Sequence, residues 1–141
     1  MPDGVVGQLR CTVVTPEGKL ADHEADFVVL TAHDGQFGIL PERAPLLCKL
    51  GPGLLRIDRK GASHHYYVRG GFAEVFDNDV TVVTTTAVAA ESINPRDLHQ
   101  EIGEAQAMPV ETSDQREARE AALAAAHAKE SVYHLHLRKH A

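Results

Sequence analysis

The chain has 141 residues, 43% hydrophobic and 24% charged, which suits a soluble globular protein with one modest core and an appendage. Its 20 acidic and 14 basic residues give a formal net charge of -6, which argues against nucleic acid as a partner, and its apolar runs are too short to span a bilayer. The N-terminus lacks the basic start and apolar stretch of a signal peptide, so the expected compartment is the cytoplasm.

From Val5 to about Val88 short apolar or alternating runs are punctuated by Gly, Pro, Asp and Asn, the texture of an antiparallel all-β domain. Leu9, Cys11 and Val13 face one way and Arg10 and Thr12 the other. Further strands are expected over 26–32, 37–40, 46–50, 54–58, 65–69, 72–76 and 80–86, all rich in Val, Ile, Thr, Tyr or Phe. Such spacing predicts two packed sheets, a sandwich or flattened barrel of about ten short strands. Asp58-Arg59-Lys60-Gly61 and Asp77-Asn78-Asp79 supply residues that tolerate left-handed backbone and read as hairpin turns.

After Val88, Ala, Glu, Gln and Arg take over and helical spacing replaces alternation, dividing the chain into residues 1–88 and 89–141. Asn94-Pro95 reads as an N-cap with proline in the first turn, and Asp97 there opposes the helix dipole. Leu98, Ile102 and Ala105 line one face of this first helix. Met108-Pro109 ends it, and Thr112-Ser113-Asp114-Gln115 has the capping-box spacing of a second helix, expected from Ser113 to about Tyr133. Its inward stripe is read as Ala118, Ala121, Ala122, Ala125, Ala128, Val132 and Leu135. Alanine buries little area, at roughly 25 cal/mol per Å² of apolar surface, so the hairpin could be docked loosely enough to leave the sandwich. Permanent packing on the sandwich is equally compatible with the composition. The whole is therefore an α+β protein, an N-terminal antiparallel β-sandwich followed by a C-terminal helical hairpin.

No catalytic motif emerges. Gly70-Gly71 and Gly51-Pro52-Gly53 lack the lysine and following helix of a phosphate loop, and read as turn or bulge residues. Neither Cys11 nor Cys48 lies in a nucleophile motif, and two cysteines make no disulfide scaffold. The rival chemistry is a metal- or ligand-binding sandwich, because His64-His65 and His134, His136 and His140 are concentrated among 9 histidines. Adjacent strand residues point to opposite faces, and residues two apart on a helix lie on different sides, so no closed ligand set forms and solvated surface histidines are expected. Glu17 with Asp22 and Asp77 with Asp79 are read as turn carboxylates. The basic residues Arg116, Arg119, Lys129, Arg138 and Lys139 suit either an acidic partner or a solvated helix face.

Two stretches carry a resemblance. Asp34-Gly35-Gln36-Phe37-Gly38-Ile39-Leu40-Pro41-Glu42-Arg43-Ala44-Pro45-Leu46-Leu47 with Gly51-Pro52-Gly53-Leu54-Leu55-Arg56-Ile57 is the first. Tyr67-Val68-Arg69-Gly70-Gly71-Phe72-Ala73-Glu74-Val75 with Asn78-Asp79-Val80-Thr81-Val82 is the second. Both resemble the epsilon subunit of bacterial and chloroplast ATP synthases, the equivalent of mitochondrial delta. The resemblance implies a non-catalytic rotor subunit at the foot of the central stalk, on the cytoplasmic face of the bacterial inner membrane, with the gamma subunit and the c-ring as partners. It also implies a helical hairpin that can extend toward the alpha/beta catalytic head and inhibit ATP hydrolysis.

Carried over by position, the ring-facing loop includes Asp34, Gln36, Glu42 and Arg43, with Arg43 where the family usually has His and Glu42 where Gly is frequent. Arg116, Arg119, Lys129 and Arg138 become the candidate regulatory contacts. Some members bind ATP through Ile/Leu-Asp-x-x-Arg-Ala. The matching Ile93-Asn94-Pro95-Arg96-Asp97-Leu98 has Asp97 in place of the phosphate-binding arginine, so no ATP site of that type, no metal and no cofactor are expected.

Overall fold

A computed structural model describes residues 8–139; the expected start of the β region at Val5, and His140, lie outside the described residues. Ten strands come first: β1 (Leu9–Thr15), β2 (Gly18–Ala25), β3 (Phe27–Ala32), β4 (Gly35–Ile39), β5 (Leu46–Leu50), β6 (Gly53–Arg59), β7 (Ala62–Val68), β8 (Gly71–Phe76), β9 (Asp79–Val83) and β10 (Ala87–Ala89). A 3-10 turn over Ala90–Ser92 then leads into α1 (Pro95–Gln106) and α2 (Ser113–Lys139). The fold is thus the expected sandwich, nearly closed, followed by two helices.

The strand order is β10-β7-β6-β3-β5-β8-β9-β1-β2, with β4 on the free side of β3. One residue pair, Ala32 with Leu50, joins β3 to β5, so this is the corner at which one layer turns into the other. Both expected tight turns are present. Lys60 (φ 49°) and Gly61 (φ 82°) join β6 to β7, and Asp77 (φ 50°) and Asn78 (φ 66°) join β8 to β9. Two consecutive left-handed residues match the twist of the flanking strands, which is why Asp, Asn, Lys and Gly stand there.

Leu9, Cys11, Val13, Val28, Leu30, Leu55, Ile57, Val75, Val80 and Val82 are almost fully buried between the layers. Cys11 and Cys48 are both free, and lie three strands apart in the order β5-β8-β9-β1, about 14 Å at a ~4.8 Å spacing. A second cluster of Leu54, Tyr67, Ala90, Ile93, Leu98 and Val132 covers the outer face of β6 and β7 with the helices.

Three points of the expected element map need correcting. β2, with the polar sequence Gly-Lys-Leu-Ala-Asp-His-Glu-Ala, buries only Ala21 and Ala25 and was not legible as a strand. It is held at the sheet edge by its pairing to β1 and by Asp22, which accepts from Arg10 at 2.8 and 2.7 Å and from Lys19 at 3.1 Å. The single run expected over 80–86 breaks after Val83, where the Thr84 hydroxyl accepts from the Thr86 amide, and β10 crosses over to pair with β7. Finally, α2 continues to Lys139, with His136, Arg138 and Lys139 complementing the dipole of its last turn.

The helix caps are as read. Asn94 Oδ1 accepts from the Arg96 amide at 2.8 Å. Thr112 Oγ1 accepts from the Gln115 amide at 3.1 Å, and Gln115 Oε1 accepts from the Thr112 amide at 3.0 Å. The inward stripe of α2 holds over Ala122, Ala125, Ala128, Val132 and Leu135, which are buried or half-buried with Ala126 buried beside them, and fails at its N-terminal end, where Ala118 and Ala121 are exposed. A buried alanine methyl contributes about 0.8 kcal/mol, against 1.5–3 kcal/mol for a buried valine or leucine. Docking of α2 is therefore concentrated in its C-terminal half, at Val132 and its neighbours.

Candidate functional site

The loops at one end of the sandwich gather the four residues singled out above. Asp34 and Gln36 flank Gly35 (φ 135°) at the β3–β4 turn, and Glu42 and Arg43 lie in the loop between β4 and β5; all four are exposed. Asp34, Gln36 and Arg43 line one shallow depression with Phe37 and Leu46. Glu42 and Arg43 line another with Pro45, Phe76 and Asn78. Glu42 has left-handed backbone (φ 68°) and is held there by Asn78, whose Oδ1 accepts from the Glu42 amide at 2.7 Å and whose Nδ2 donates to Glu42 Oε1 at 3.1 Å. The β8–β9 hairpin thus anchors the β4–β5 loop, a connection between residues 36 positions apart that local spacing could not reveal.

Reasoning from the sequence missed a second surface. Leu40, Leu47, Phe72, Phe76 and Val83 are 62%, 71%, 53%, 62% and 53% exposed. Phe72 pairs with Val83 and with Lys49, and Leu47 pairs with Glu74, so Leu47, Phe72 and Val83 are neighbours on the outer face of β5, β8 and β9. The signal lies in Phe72-Ala73-Glu74-Val75-Phe76. Ala73 and Val75 fill the core phase, yet the opposite phase carries two aromatic residues where a solvated face would be polar. Large apolar side chains exposed together, with Lys49 and Glu74 set among them, mark a candidate interaction face.

Of the four basic residues singled out on α2, three are engaged within the hairpin or against the sandwich. Arg116 donates to the carbonyl of Val110 at 3.1 Å, and Arg119 donates to that of Gln106 at 3.4 Å. Lys129 meets Glu101 of α1 at 2.7 Å, is only 14% exposed, and sits 5.9 Å from the centre of the Tyr67 ring. Burial pushes the Tyr67 phenol up to about 12. Arg138 is exposed and lines the groove between α2 and the β5–β6 connection at Pro52. Meeting another partner through Arg116, Arg119 and Lys129 requires exchanging these contacts.

The histidines do not converge. Among the described residues no three His, Cys, Asp or Glu side chains are placed to share an ion. His64 is exposed at the rim and stacks on His23 with ring centres 4.3 Å apart, and His23 Nε2 lies 2.9 Å from the Tyr66 hydroxyl. The expectation of solvated histidines fails at His65, which is 4% exposed beneath α2. Asp22, expected in a turn, lies instead within β2, where the Arg10 and Lys19 hydrogen bonds hold its carboxyl well below the usual carboxylate range.

Residues 8–90 match the family described as "ATP synthase, Delta/Epsilon chain, beta-sandwich domain". The chain is 39% identical over 115 residues to the ATP synthase epsilon chain of Rhodopirellula baltica, a match covering 82% of this chain and 90% of that one. It is 41% identical over 86 residues to the epsilon chain of Nitratidesulfovibrio vulgaris, covering 61% of this chain and 64% of that relative. A chain in a structure of the Euglena gracilis mitochondrial ATP synthase with its c-ring superposes with a TM-score of 0.78 at 25% identity, over 89% of this chain and 81% of that one. A chain from the central stalk and c-ring of the Tetrahymena thermophila mitochondrial ATP synthase shares the fold, with a TM-score of 0.70 at 16% identity over 89% and 96% of the two chains.

Proposed function

Because the chain belongs to the delta/epsilon chain family of ATP synthases, we propose that it is a non-catalytic rotor subunit that couples c-ring rotation to gamma and the catalytic head. The observation that carries this reading is the conjunction, in one sandwich, of an exposed apolar sheet face with an adjoining polar loop end. The apolar face of β5, β8 and β9 suits a lasting contact with gamma, since desolvation of aromatic side chains contributes most at such interfaces. The exposed loop end, with Asp34, Gln36, Glu42 and Arg43, suits the polar loops of the ring, because charges of both signs fix register without large apolar burial. The Asn78 anchor supports this role, as torque passes better through a loop tied to the sheet.

In this proposal residues 1–88 form the coupling unit and residues 89–141 a separable regulatory unit that reaches the alpha/beta head through Arg116, Arg119, Lys129 and Arg138. The chain works at the cytoplasmic face of the bacterial inner membrane, attached only through the complex. No described helix is long and apolar enough to cross a membrane.

The test is co-purification from the native cell after gentle solubilisation. Recovery of gamma, the ring subunit and the catalytic head at fixed stoichiometry is expected. Recovery of the chain without synthase subunits would refute the assignment.

A further inference from the structure

His65 lies on the outer face of β7, paired in register with Arg56 of β6, and the C-terminal turns of α2 close over it. Its ring is 4% exposed, and neither Nδ1 nor Nε2 has a hydrogen-bond partner. Neutral, this ring already leaves one N–H and one acceptor nitrogen without partners, and protonation would add a second donor and a desolvated positive charge. Charging it would strand two N–H donors under a helix whose hold on the sandwich rests chiefly on Val132 and its neighbours.

The groups around it sharpen the effect. From β6 come Arg56 and Asp58; from α2 come His136 and Lys139; on β7 itself the nearest titratable neighbour on this face is Tyr67, held protonated by burial. Asp58 is the one anion in this set, and it is already engaged, accepting from Arg56 at 3.1 Å and from Ser63 at 2.7 Å. A protonated His65 therefore faces two permanent cations and a spoken-for carboxylate.

We propose that His65 is a proton-operated latch, and that proton uptake at its buried ring releases the C-terminal half of α2 from β6 and β7. Burial, then the charge of Arg56, lowers the ring's affinity for protons below the ordinary 6.5. The sign follows: the undocked chain binds more protons than the docked one, so docking is strongest above about 6.5 and weakens as pH falls toward the lowered value. One linked proton weakens it by at most tenfold per pH unit. The latch belongs to the chain itself and would operate whichever complex the chain joins.

The experiment uses the isolated full chain, with amide hydrogen exchange corrected for intrinsic rate and the His65 ring titration followed by NMR. Between pH 7.5 and 5.5 the amides of α2 in the wild type should open up to about tenfold more often, while those of β1, β8 and β9 stay constant. In His65→Leu the opening of α2 should become independent of pH, with His65→Gln as the second non-titrating variant should the leucine disturb folding. An unchanged pH response in the non-titrating variants would overturn the proposal. So would a wild-type ring that takes up its proton while α2 stays protected.

Discussion

Gly71→Ala should cost this protein a large share of its stability. Gly71 has φ 110°, and an added Cβ would collide with the Val83 carbonyl oxygen while approaching Thr84 Cα to 3.0 Å and the Val83 carbonyl carbon to 3.1 Å. All three atoms are backbone next to a strand locked in register, with Phe72 opposite Val83, so no side chain can swing aside. The unfavourable backbone conformation costs about 1–3 kcal/mol and the forced separation of β8 from β9 a further 1–3 kcal/mol, roughly 2–6 kcal/mol together. That is a large share of the 5–15 kcal/mol typical of a domain. With a urea m-value of about 2 kcal/mol/M, the unfolding midpoint should fall by about 1–3 M. Gly61→Ala is the control: its φ is 82° but nothing lies within 4 Å of the added methyl, leaving only the backbone cost of about 1 kcal/mol. Equal urea midpoints for the two variants would refute the steric argument and leave conformation as the sole reason for Gly71.

Three further outcomes are expected. Phe72→Ser with Phe76→Ser should leave the unfolding free energy of the isolated chain, measured in urea, within about 0.5 kcal/mol of wild type, since both rings are more than half exposed, but should abolish co-purification with gamma. Asn78→Ala removes both bonds to Glu42; it should cost about 1 kcal/mol in denaturant unfolding, and hydrogen exchange should rise at the Glu42 amide while the β1 amides are unaffected. Cys11 is fully buried and burial pushes its thiol up to about 12, so a maleimide at pH 7.5 should label it only on unfolding, whereas half-buried Cys48 should react in the native state.

What was legible in the sequence is what depends on local chemistry. Asp77-Asn78 and Lys60-Gly61 announce left-handed turns because few residues tolerate them, and Asn94, Thr112 and Gln115 announce helix starts because their side chains satisfy amides two or three residues away. What was illegible depends on partners outside the segment itself. β2 is polar in itself and becomes a strand through β1 and the Arg10–Asp22 pair. The α2 stripe failed only at Ala118 and Ala121, because alanine phases are equivalent where the helix has not yet reached the face that meets Leu54 and Tyr67. The four loop residues were named from resemblance; their convergence on one end, and the Asn78 anchor, required the fold.

The histidine pair shows why strand alternation alone misjudges exposure. His64 is on the core-facing phase of β7, opposite Ile57, yet is exposed because the sandwich is open at that rim, where it stacks on His23. His65 is on the outward phase and is buried because α2 lies over it. Phase fixes the face; only the layer above decides whether that face is wet. The same reasoning, applied in reverse to β8, makes the exposed Phe72 and Phe76 informative. Among the described residues nothing covers that phase, and two aromatic rings more than half in water forgo part of the roughly 1.5–3 kcal/mol that full burial of each would contribute. The outer face of β6 and β7 is thus closed from within by α2, while that of β5, β8 and β9 keeps Leu47, Phe72 and Phe76 exposed among the described residues, which is why the proposed gamma contact is assigned to it.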